Sequence, residues 1–116
     1  MANTNDDTGT PAAFKQFSTR FPQIAERYEA LGKAVHEHGP LNDRERALVK
    51  LAISGTAGLG SAFKTHIRKG REAGITRAEM EHVVLLFLPT IGLPAMIRAM
   101  RLIERMYAPN DAGTNP

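Results

Sequence analysis

The chain has no cysteine. Disulfides, thiolate metal sites and every mechanism built on a nucleophilic or redox-active thiol are thereby excluded, and the composition suits a cytoplasmic protein. Long apolar runs are equally scarce. The longest, Val83 to Ile97, is broken by Pro89, Thr90, Gly92 and Pro94, and its 15 residues fall short of the roughly 20 that span a bilayer. No membrane partner is expected. Aromatic residues make up only 6% of the chain, and neither terminus is a basic arm. With no helix-turn-helix signal either, no nucleic-acid partner is expected. No segment alternates apolar and polar residues with a period of two, so no strand is predicted.

What remains is a single domain of 116 residues, 42% hydrophobic, long enough to bury a real core. The polar opening, MANTNDDTGTP, reads as a disordered arm over residues 1–12, not as a signal or transit peptide. Residues 108–116 read as a tail. Between them, residues 13–107 form the predicted helical body. That body holds all 15 lysines and arginines against 9 acids, a net of +6 where the whole chain carries +3. A surface of that sign favours anions without choosing among them.

The spacing predicts a short helical turn over 14–20, then a helix entered at Pro22 and ending near Glu37, with Ile24, Tyr28, Leu31 and Val35 as its apolar stripe. Asn42 and Glu45 are spaced as a capping box for a helix running to about Thr56. Gly55, Gly58 and Gly60 loosen the join to a central helix that Gly74 closes. Thr76 and Glu79 cap the next helix, whose later part, VVLLFL, is apolar on every side and is expected to be buried all round, against another subunit in so small a domain. Pro94 is placed to start a last helix, from Ala95 to about Tyr107, with Met96, Ala99, Met100, Ile103 and Met106 inward.

The stretch around which the chain is organised is GLGSAFKTHIRKGREAG, residues 58–74. On a helix, His66 shares a side with Leu59, Ala62, Phe63, Gly70 and Ala73, while Lys64, Arg68 and Arg71 fall opposite. An imidazole on an apolar face is either a packed core residue or a group able to move a proton near neutral pH. His82, on the following helix, is a second imidazole able to approach it. Arg98 shares a face of the last helix with Arg101 and Arg105, and either basic face can supply a carboxylate clamp. His36 and His38 stand two residues apart at a helix end. They point about 200° apart and lack a third ligand, so no metal or other cofactor is expected.

Four stretches in order, LNDRERALVKLAIS, HIRKGREAGIT, TRAEMEHVVLL and IGLPA, resemble the carboxymuconolactone decarboxylase and alkylhydroperoxidase D-like family over about Phe21 to Tyr107. The resemblance implies an all-α fold, a single-domain bundle of about five to six helices, and a homo-oligomer, commonly a trimer or hexamer. The peroxidase branch of that family places a Cys-x-x-Cys pair shortly before a histidine and a glutamate further upstream. Counting from His66, those positions hold Leu59, Ala62 and Ala47 here. Thiol peroxidase chemistry is therefore excluded. The decarboxylase branch, which also lacks the cysteine pair, shares the H-x-R element, here His66 to Arg68, and the G-x-P-A turn, here Gly92 to Ala95.

By that resemblance the expected activity is cofactor-free decarboxylation of a small organic acid or lactone. His66 is the expected proton donor, and Arg68, His82 and Arg98 are the expected substrate-binding residues. The alternative is a non-catalytic or small-ligand-binding relative that has kept the fold after losing the thiol site. A pocket in which His66 is hydrogen-bonded, reachable by solvent and beside an arginine favours the first, and a histidine sealed in packing with no adjoining cavity favours the second.

Overall fold

The computed structural model describes residues 11–114, with side chains over 12–108. The expected arm over residues 1–12 lies largely outside the described residues, and so do the last two residues of the expected tail. Helix α1 (Pro11–Arg20) leads into α2 (Pro22–Glu37), and α3 (Asp43–Thr56) and α4 (Gly60–Glu72) follow. The chain closes with α5 (Arg77–Leu85), α6 (Phe87–Ile91) and α7 (Leu93–Thr114). Among the described residues no strand forms. The last helix runs past Tyr107, where the sequence pattern weakens.

Local chemistry places the helix ends. Both capping boxes are complete. Asn42 accepts from the Glu45 amide at 2.8 Å while the Glu45 carboxylate accepts from the Asn42 amide at 3.0 Å. Thr76 accepts from the Glu79 amide at 3.1 Å, and Glu79 accepts from the Thr76 amide at 2.8 Å. Each box satisfies two amides that the first turn of a helix leaves without a partner. Arg44 also pairs with Glu79, which ties the start of α3 to the start of α5. At the end of α4, Gly74 takes a φ of +88°. The amide of Ile75 then donates to the Gly70 carbonyl at 2.8 Å and that of Gly74 to Arg71 at 3.0 Å, the paired closure a left-handed glycine permits.

The core belongs to α3–α7. Leu51, Ile67, Met80, Val84 and Ile103 have essentially no exposed surface, and Phe63, Ile75, Phe87, Ala99 and Leu102 complete the cluster. Met96, Met100 and Met106 of α7 pack against it, as the sequence pattern predicts, with Leu102 added to the inward face. Tyr107 fastens α7 to the rest. The Arg71 guanidinium lies 4.4 Å and that of Arg77 5.1 Å from its ring centroid, each a cation over an aromatic face.

Two expectations change. The buried stripe of α4 is Phe63, Ile67 and Gly70, so His66 sits at the border of the apolar face and not in its middle. The VVLLFL run is not buried all round within one chain. Val84 and Phe87 are buried, whereas Leu85, Leu86 and Leu88 are 43–55% exposed. The run is also split, because α5 stops at Leu85 and α6 restarts at Phe87. Pro89 then falls in the first turn of α6, where its missing amide leaves no bond unmade. The apolar stripe of α2 forms but lies open, with Ile24 58%, Tyr28 62%, Leu31 61% and Val35 67% exposed. Among the described residues α2 packs extensively against α1 alone.

Candidate functional site

His66 is half-buried on α4 and opens into a cleft of about 450 Å³. Helix α3 supplies one wall with Ala47 and Lys50, α4 the floor with His66 and Lys69, and α2 brings His36 to the opposite rim. Asp43 and Glu72 stand at the edges. Helical spacing explains the convergence: Lys69 lies three residues beyond His66 and Lys50 three beyond Ala47, so each shares a side with its neighbour.

The electrostatics of the cleft favour an anion. Burial, and then the ammoniums of Lys50 and Lys69, push the His66 imidazole below its ordinary pKa. Lys50 is itself lowered, first by burial and then by Lys69 and Arg46. Its Nζ lies 3.2 Å from His36 Nδ1. His36 is lowered as well, by burial and by Lys50 and Arg46. Asp43 does not neutralise the lysines, since it pairs with Arg46, which also donates to the Leu41 carbonyl. No side chain among the described residues hydrogen-bonds His66.

The other expected site residues lie elsewhere in the chain. Arg68 is exposed on the far side of α4, where its Nη2 donates to Thr65 Oγ1 at 3.4 Å. His82 is exposed on α5 and does not line the cleft. Arg98 lines a separate cavity of about 230 Å³ at the start of α4, together with Leu59, Lys64 and Arg105. Within one chain, then, His66 meets none of the three. The cations it does meet, Lys50 and Lys69, were not singled out from the sequence. A signal was present for Lys69, which follows His66 on α4 by one helical turn, whereas Lys50 arrives from α3. Among the described residues no group of acids and histidines is placed to hold a metal, and no helix is long and apolar enough to cross a membrane.

An all-helical, cysteine-free domain with an imidazole cleft on its central helix defines the class. Over residues 22–105 the sequence matches the carboxymuconolactone decarboxylase family, and the chain belongs to that family. No curated protein and no solved structure matches it.

Proposed function

We propose that the His66 cleft takes up a small organic acid or lactone in the cytoplasm, and that His66 moves the proton in a cofactor-free decarboxylation. The observation that carries this reading is the pairing of a half-buried, pKa-lowered imidazole with two lysines in one cleft. Without a ligand, burial and the two lysines favour the neutral imidazole of His66. A carboxylate entering between Lys50 and Lys69 cancels part of their field and raises the His66 pKa. Binding thus loads the imidazole with the proton that the carbanion, or its enol form, needs once CO2 has left. Lys50 and Lys69 take the carboxylate-holding role expected of arginine. Arg68, His82 and Arg98 remain candidates for a site completed by a neighbouring copy.

The proposal includes assembly into a homo-oligomer, a trimer or hexamer. The open stripe of α2 supports it, since four adjacent large apolar side chains, each 58–67% exposed, are of the kind an interface covers. A non-catalytic, ligand-binding relative is the second reading. It is favoured by Ala47, which stands where the resemblance expects an acid to orient the imidazole, and by the lack of a side-chain hydrogen bond to the His66 ring among the described residues.

The test is the titration of His66 followed by NMR, alone and with a panel of dicarboxylic acids and lactones. The expected result is a depressed pKa that rises with at least one of these compounds, together with CO2 release that His66→Ala abolishes. An imidazole that ignores every compound sinks the reading. A ligand-dependent pKa with no turnover selects the binding relative.

A further inference from the structure

We propose that Lys50 is a catalytic amine, whose Nζ condenses with the ketone carbon of a 3-oxo acid held in the His66 cleft. The proposal rests on the reading of that cleft as a site for a small organic acid, and it narrows the substrate class to acids with a carbonyl two carbons from the carboxylate.

The geometry sets Lys50 apart from an ordinary surface lysine. Its polar partner is an imidazole nitrogen, His36 Nδ1 at 3.2 Å, and not a carboxylate. The nearby acid, Asp43, is held by Arg46. Every element packed around the amine adds a basic group: α2 His36, α3 Arg46, and α4 both His66 and Lys69. Asp43 and Glu72 in the same cleft, and Glu29 and Glu37 of α2 in the adjoining one, are the acids that oppose them. Partial burial and the positive neighbours lower the pKa of the amine, which favours its free form, and the free amine is the nucleophile. An imidazole in contact is also able to take up or return the amine's proton. The cleft, at about 450 Å³, lies within the range that small-molecule sites occupy.

The chemistry closes without a cofactor. The free Nζ adds to the ketone carbon, and the ketone oxygen leaves as water after taking one proton from the amine and one from solvent, giving a protonated imine. The bond to the carboxylate breaks, its electron pair moves to the iminium nitrogen, and CO2 departs, leaving an enamine. His66, protonated by then, gives its proton to the enamine carbon. Water hydrolyses the imine and restores the amine, so the net change is a 3-oxo acid anion and one proton converted to a ketone and CO2.

The experiment incubates the full chain with acetoacetate and sodium borohydride, which reduces an imine to a stable secondary amine, and maps the adduct by peptide mass spectrometry. The expected result is labelling of Lys50 at least about tenfold above Lys15, a lysine away from the cleft, because the free amine is the nucleophile. Lys50→Arg keeps the charge but cannot form an imine. It is expected to lose the adduct and to lower acetoacetate decarboxylation at least about a hundredfold, while acetoacetate still raises the His66 pKa. Equal labelling of Lys15 and Lys50, no labelling at all, or full turnover by Lys50→Arg overturns the amine mechanism. Failure of acetoacetate and the acid panel alike to move His66 in wild type is instead the failure of the cleft as an acid site.

Discussion

Two glycines buried in helices test the packing one atom at a time. A Cβ built at Gly55 comes within 2.9 Å of Phe63 Cε1 and 3.0 Å of Phe87 Cζ. Both rings are buried in the core and have little room to turn. Gly55→Ala is therefore expected to destabilise the fold by about 1–3 kcal/mol, read as a lower midpoint in chemical denaturation. A Cβ at Gly70 meets the terminal methyl of Met80 at 3.0 Å, and a flexible side chain can give way. Since alanine also gains about 1 kcal/mol over glycine in a helix interior, Gly70→Ala is expected to stay near wild-type stability. His66 adds a pH dependence. Its folded-state pKa is lowered, so once the pH falls below about 6.5, where a free histidine takes up its proton, the unfolded chain binds more protons than the folded one. Stability then falls with pH until the folded His66 is protonated too. His66→Gln is expected to flatten that slope in Tm measured against pH, leaving the contribution of His36, which is lowered in the same direction. The histidine was legible at this scale because it stands alone on one side of a glycine-bounded helix. Of its cationic neighbours, Lys69 lies one turn along the same helix, but Lys50 reaches it from α3, and contacts between helices leave no trace in the spacing of one helix.

At the scale of elements, the N-termini of α3 and α5 were readable because a capping box writes both of its partners three residues apart. Thr76→Ala removes the acceptor of the Glu79 amide. It is expected to cost about 1 kcal/mol, visible as a drop in Tm, and to loosen the Glu79 carboxylate that Arg44 grips. That carboxylate is held below its usual range by the Thr76 amide first and by Arg44 next. Its contribution is present at neutral pH and disappears as acid protonates it. The break between α5 and α6 was not readable. Period and apolarity run straight through VVLLFL, and the division falls at Leu86, whose amide is shared between the His82 and Val83 carbonyls at 3.1 and 3.2 Å.

For the whole molecule, the helical class followed from periodicity and from the absence of alternation, and the family followed from four short stretches in order. The sequence also showed the stripe of α2, but not that the subunit leaves it open. Amphipathicity reveals that a face needs cover without revealing which chain covers it. Leu31→Glu places a charge in the middle of that stripe. The expected outcome, by light scattering coupled to size-exclusion chromatography, is a shift from oligomer to smaller species with helicity retained. A wild-type protein that is monomeric at every concentration removes the proposed assembly.

The weak hold of the subunit on α2 has a further consequence, because α2 is the helix that delivers His36 to Lys50. When neighbouring copies keep that helix in place, association and ligand capture become linked equilibria. Dilution drains the population in which the third wall of the cleft stands, and affinity for the acid weakens with it. By reciprocity, the acid must tighten the association of subunits by the same factor. Under the proposed assembly, a saturating ligand then acts as glue between chains it never bridges, and the proposed decarboxylation, assayed at low protein concentration, is expected to show a lag that shortens as substrate is raised.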